Sequence, residues 1–97
     1  MNIGDKITVL SRIGLEIVPE HGIVYNVTEY GDAQWKSDSD IQWRSLAQLK
    51  DEGVLWILGH HNNGSKEVAA MRVAHALGRT DNPFENLESY QNWTDLK

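Results

Sequence analysis

The sequence predicts an α+β domain, an antiparallel β-sheet with helices packed on one face, and three observations carry that prediction. Stretches rich in β-branched and aromatic residues crowd the first third of the chain. Helix start and stop signals gather in the second half. Among them lies one unbroken apolar run, Val54-Leu55-Trp56-Ile57-Leu58, bounded by Gly53 and Gly59. At 97 residues the chain supports one core, so 1–97 reads as a single domain with any function on one surface or in one cleft.

Taken in order, Lys6-Ile7-Thr8-Val9-Leu10 is the first strand, which Gly14 is expected to bend or bulge further on. Pro19-Glu20-His21-Gly22 has the Pro-early, Gly-late order of a tight turn, so Leu15–Val18 and Ile23–Tyr30 are expected to pair as a hairpin across it. In that hairpin Ile23, Tyr25 and Val27 alternate with Val24, Asn26 and Thr28. A second turn at Tyr30-Gly31-Asp32 leads to a third strand, Ala33–Lys36, which completes a meander. The polar tract Ser37-Asp38-Ser39-Asp40 ends the strand character.

Ser45 is placed to N-cap a short helix from Leu46 to Glu52, with Gly53 at its C′ position. The run Val54–Leu58 is too short for a helix and reads as the most buried strand, with Trp56 at the centre of the core. Ser65 caps a helix from Lys66 to Leu77, whose inner face is expected to hold Val68, Met71, Ala74 and Leu77. Asn82, Pro83 and Glu85 make a capping-box start for a last helix, Pro83–Asn92, with Phe84, Leu87 and Tyr90 inward and Trp93 anchoring the tail.

Composition excludes more than it assigns. With no cysteine there is no disulfide framework, thiolate nucleophile or Cys-based zinc site. A net charge of -5 makes the chain a poor generic binder of nucleic acid or anionic membrane. The start of the chain lacks a signal-peptide pattern and no apolar run approaches the roughly 20 residues of a membrane span, so a cytoplasmic location is expected. No serine-hydrolase elbow, Walker loop or dinucleotide fingerprint occurs, and the expectation is a protein that is not an enzyme and needs no cofactor. His60-His61, with His21 and His75 elsewhere, is the only metal-like grouping, and adjacent residues on an extended loop point apart, so no metal site is predicted. Asp38-Ser39-Asp40 opens like a calcium loop, but Trp43 stands where that loop needs glycine and Leu49 where it needs glutamate.

Four tryptophans, Trp35, Trp43, Trp56 and Trp93, are expected to fill the core, with Trp35 and Trp43 the candidates for an exposed aromatic surface. Charge placement is more informative. Between Arg12 and Lys36 stand Glu16, Glu20, Glu29 and Asp32 with no basic residue, and after Arg79 come Asp81, Glu85, Glu88 and Asp95 before any base. Carboxylates so arranged are able to imitate phosphates and occupy a basic groove built for a nucleic-acid strand. Glu16, Glu20, Glu29, Asp32, Asp81, Glu85 and Glu88 are therefore the candidate partner-binding residues.

Two resemblances bear on function. Gly4-Asp5-Lys6-Ile7-Thr8-Val9-Leu10, followed by Gly22-Ile23-Val24-Tyr25-Asn26-Val27, resembles the opening strands of small SH3-like barrels. That resemblance implies an adaptor holding a peptide or nucleic acid on its hairpin surface, although helices from Lys66 onward lie outside such a fold. The whole chain, small, cysteine-free and acidic, is similar in kind to phage-encoded anti-CRISPR proteins of the DNA-mimic type. This second resemblance implies a viral inhibitor in the host cytoplasm that blocks the basic DNA-binding channel of a CRISPR surveillance complex, its partner being that protein surface, with no direct nucleic-acid or membrane contact.

Overall fold

The computed structural model describes residues 2–38, 44–80 and 82–85, without the side chains of Ile13 and Glu85. Its elements run β1 (Lys6–Ile13), β2 (Glu16–Val27), β3 (Ala33–Ser37), β4 (Arg44–Ser45), α1 (Leu46–Asp51), β5 (Trp56–Leu58), α2 (Lys66–Ala76) and a 3-10 turn over Pro83–Glu85. The five strands form one antiparallel sheet in the order β4-β3-β2-β1-β5. The α+β class is as the sequence predicts.

The first hairpin is not where the turn residues of the sequence suggest. β2 runs straight through Pro19–Gly22, and β1 and β2 pair from Lys6↔Ile23 to Ile13↔Glu16, so the tight turn is Gly14-Leu15. Gly14 takes φ +63, the positive first central position that suits a two-residue connection between twisted strands. Pro19 is tolerated inside β2 for a geometric reason. Val24 donates its N–H to the Asp5 carbonyl, and the antiparallel alternation from there turns the Pro19 nitrogen away from β1. On the other side of β2, β3 pairs with Gly22–Val27 and, among the described residues, stops short of Pro19, so no ladder bond is missing there. Gly22 likewise has no positive φ, and its role lies in packing.

The pairing register sorts side chains to two faces. Ile7, Val9, Val24, Ala33, Trp35 and Trp56 share one face with Leu46 and Leu49 of α1. Leu10, Leu55 and Ile57 share the other with Ala70, Met71 and Ala74 of α2 and with Phe84. α2 and the Pro83–Glu85 turn thus back one face together, and α1 is added on the opposite face. Trp56 on the edge strand β5 and Ala33 and Trp35 on β3 belong to one core cluster although β1 and β2 separate them in the sheet. The sheet curls around α1. Trp56 is buried as expected, but the strand carrying it is an edge, and the centre belongs to β1, β2 and β3 with Ile7, Val24 and Trp35 at 1% exposure or less.

Both helices start as the sequence indicates, Ser45 accepting from Gln48 N–H and Ser65 from Val68 N–H. Val68, Met71 and Ala74 are fully buried, whereas Leu77 is 67% exposed. Each step of three residues falls about 60° short of a full turn, so three steps carry Leu77 to the far side of the helix from Val68. Arg72 fastens α2 to the sheet by donating to the Ile17 carbonyl at 3.0 Å and to Asn63 Oδ1 at 2.6 Å. Among the described residues no helix is long and apolar enough to cross a membrane.

Asn82 departs from its predicted capping role. It adopts φ +42 and its Oδ1 accepts the backbone N–H of Trp56 at 3.1 Å, a donor that faces outward from edge strand β5. The carboxamide therefore seals an open strand edge, which an uncovered β5 would expose to foreign strands. Phe84 is buried as predicted, while Leu87, Tyr90 and Trp93 lie outside the described residues. Asn82→Ala is expected to orphan the Trp56 N–H and lower stability by about 1–3 kcal/mol, read as a lower urea midpoint with an unchanged slope. A midpoint equal to wild type would show that the edge needs no seal.

Candidate functional site

The predicted acidic residues are spread along the molecule. Glu16 stands at the first residue of β2 and Glu29 two residues past its end. The whole 12-residue strand, up to roughly 36 Å long at about 3.3 Å per residue, lies between them. Glu16 and Glu29 are exposed, while Glu20 and Asp32 are half-buried and have internal partners. Glu20 Oε2 accepts from the Ser11 hydroxyl at 3.2 Å, and Asp32 Oδ1 accepts the Ala47 N–H at the start of α1 at 3.3 Å. Asp81, Glu88 and the Glu85 side chain lie outside the described residues.

Asp32 lines a distinct concavity. Where the curled sheet brings the β2–β3 turn toward β5, a cleft of about 550 Å³ opens between Tyr30–Ala33, Leu46, Ala47 and Lys50 of α1, and Trp56 and Leu58 of β5. The turn is built by the sequence itself: Thr28 N–H donates to the Asp32 carbonyl, Asp32 N–H donates to Thr28 Oγ1, and Gly31 sits at φ +85. This holds Tyr30 out in solvent at 90% exposure. Leu58 is 43% exposed on the opposite wall, and Trp56, Ala33 and Leu46 are buried beneath. The cleft thus has an apolar floor, two exposed apolar side chains at its rim, and one carboxylate and one ammonium beside them. That composition suits ligand capture with a few orienting polar contacts.

Trp35 is fully buried, as expected of a core tryptophan, and so does not form the exposed aromatic surface for which it was the alternative candidate. Arg44 stacks over its ring at 5.9 Å from the centroid, and its Nε1 has no hydrogen-bond partner among the described residues. Trp43 lies outside them. Among the described residues the exposed aromatic is Tyr30, and the signal for it was the Tyr-Gly-Asp turn, which places the residue before the glycine at the tip.

The histidines divide differently from their order in the sequence. His60 and His61 do diverge as expected, His60 toward the Gly22 carbonyl at 2.9 Å and His61 toward the Leu58 carbonyl at 2.8 Å, with His61 Nδ1 3.6 Å from Glu67. His60 instead stacks on His21, ring centroids 4.4 Å apart and planes within 4°. This pair was hidden in the sequence because the misread turn at 19–22 placed His21 in a loop, whereas the register sets it opposite Thr8 in the sheet.

Comparison with known proteins returns no family model, no curated protein and no solved structure that matches the chain.

Proposed function

We propose that the protein is a non-catalytic binding module that takes up a peptide segment of a protein partner in the cleft between the β2–β3 turn, α1 and β5. The observation that carries this reading is the cleft itself, with Tyr30 and Leu58 exposed on facing walls over the buried Trp56. Exposed large aromatics and aliphatics around a preformed concavity are what a binding surface uses as anchors. The strand order supports it further. A three-strand meander with a long β2 shared between β1 and β3, then a helix before a last strand that returns beside β1, holds the β2–β3 turn and β5 on one sheet, so the elements lining the cleft belong to a single framework.

The edge of β5 is sealed by Asn82 and by the His61 Nε2–H on the Leu58 carbonyl, so side chains in the cleft carry recognition and strand addition does not. An apolar anchor of the partner fits over Trp56, while Asp32 and Lys50 orient its polar flanks. The reading as an acidic inhibitor of a CRISPR surveillance complex has less behind it, because Glu16 and Glu29 sit at opposite ends of β2 and Glu20 and Asp32 have internal partners.

Peptide display against the immobilised protein, followed by amide chemical-shift mapping of a selected peptide, tests the proposal. Shifts are expected at Tyr30–Ala33, Leu46–Lys50 and Trp56–Leu58, and Tyr30→Ala is expected to weaken binding at least about tenfold. Shifts confined to the Glu16 end of the sheet would place the site elsewhere.

A further inference from the structure

On the face of the sheet opposite the cleft, we infer that His21, Asp38 and His60 form a site for one divalent transition ion of the zinc class. Two ring nitrogens and a carboxylate oxygen, one from each residue, lie within 4.8 Å of one another. They come from three segments far apart in sequence: the middle of β2, the residue after β3, and the loop between β5 and α2. The sheet register produces the meeting. Thr8 pairs with His21, and Asp38 donates its N–H to the His21 carbonyl at 3.0 Å, which sets the carboxylate beside the ring.

The tautomers are fixed in the manner of metal-ligand histidines. A backbone carbonyl only accepts, so His21 Nε2–H donates to the His61 carbonyl and His60 Nε2–H to the Gly22 carbonyl, each at 2.9 Å. That leaves the Nδ1 lone pair of each neutral imidazole for coordination, with the far nitrogen held by a carbonyl as outer-shell support. The loop bearing His60 is itself anchored. The fully buried Thr8 hydroxyl donates to the Gly59 carbonyl at 2.7 Å and accepts the His61 N–H at 2.8 Å. Gly59 takes φ +93, where a Cβ would meet His61 Nε2 at 2.9 Å.

Two imidazoles and one carboxylate suit zinc, which takes His nitrogens at about 2.0–2.1 Å and carboxylate oxygens at about 2.0–2.2 Å and leaves a fourth position to water in such a three-ligand set. Tetrahedral ligands at that radius stand about 3.4 Å apart. Closure from the 4.8 Å spread therefore needs each ring to swivel about its Nε2–H contact with the carbonyl, which tilts the two planes out of parallel, and the exposed Asp38 carboxylate to rotate inward.

Calorimetric titration of the full chain with zinc chloride, paired with thermal melting, tests the site. One ion per chain is expected, with the melting temperature raised by roughly 11–22 °C when free zinc is near 100 times its Kd. His21→Ala and His60→Ala are each expected to weaken binding about 100-fold and Asp38→Asn at least about tenfold, while His75→Ala, on α2 away from the site, changes it less than about threefold. Circular dichroism checks the fold of each variant, and Asp38→Asn, an isosteric change at an exposed side chain, serves if the histidine variants do not fold. The inference is overturned by a folded wild-type chain that gives neither heat nor a melting shift up to about 1 mM zinc, or by binding that survives His60→Ala and Asp38→Asn or is lost on His75→Ala.

Discussion

Trp35→Ala is expected to lower the unfolding free energy by about 3–5 kcal/mol, a large share of the roughly 5–15 kcal/mol typical of a small domain. The side chain is fully buried and sits in the cluster that joins β1, β2, β3, α1 and Trp56. Its indole lies so close over β2 that a Cβ built on Gly22 would fall 2.6 Å from Trp35 Cε3, 2.9 Å from Cζ3 and 2.8 Å from the Lys36 carbonyl oxygen. Backbone and buried ring have no room to yield. Gly22→Ala is therefore expected to cost about 1–3 kcal/mol by overpacking, although the backbone at Gly22 is of a kind any residue adopts. Trp35→Phe removes part of the clashing ring system, so the penalty of Gly22→Ala is expected to shrink in that background, giving a coupling of about 1 kcal/mol in a double-mutant cycle. Urea unfolding of the four proteins measures it. A Gly22→Ala protein as stable as wild type would show that this approach has slack and that the glycine answers to something else.

The same glycine explains where sequence reasoning succeeded and where it did not. Local signals, those that act through the nearest few residues, were legible. Ser45 and Ser65 cap helices because a hydroxyl reaches an N–H three residues on, and Thr28–Asp32 closes its own turn. Pro19 and Gly22 misled because each residue type has two uses. Proline marks a turn or an open strand edge, and glycine supplies either a positive φ or space for a neighbour. Which use applies depends on the partner strand, and no residue within the segment reports that. Gly14, two residues before Glu16, carried the turn with less conspicuous company.

The candidate sites divide along the same line. Tyr30 was visible as a turn residue, but the cleft required β5 to come round toward the β2–β3 turn, a consequence of sheet curl. Leu58 was grouped with the apolar run and expected in the core, whereas its pairing with Ile7 at the end of β5 leaves it 43% exposed. The stacked His21–His60 pair required the correct register of the first hairpin. A shift of the turn by a few residues moves His21 from a loop tip to the middle of a strand, and only the latter lets it meet His60 and Asp38.

Trp56→Ala and Leu58→Asp are expected to separate folding from binding at two positions on one strand. Trp56 is 6% exposed and forms part of the core as well as the cleft floor, so its truncation is expected to cost about 3–5 kcal/mol and to remove binding through loss of the fold. Leu58 touches solvent already, and an aspartate there disturbs no close-packed layer. A stability change of about 0.5 kcal/mol is expected, as for surface substitutions away from special features. Binding is the sensitive quantity at Leu58, because a carboxylate beside Asp32 makes the cleft acidic on both walls and removes an apolar anchor. A loss of about 30-fold or more, the scale of an interface hot spot near 2 kcal/mol, is expected against any peptide selected on the wild-type protein. Charge reversal at the distant acids, Glu16→Lys with Glu29→Lys, is expected to leave that affinity within about threefold and nearly independent of salt. An acidic mimic behaves oppositely: its binding weakens steeply as salt rises, since exposed charges are screened over about 8 Å at physiological ionic strength, and reversal at Glu16 and Glu29 slows its association. If Leu58→Asp binds as well as wild type while the reversed acids abolish binding, the cleft is not the working surface and the carboxylates are.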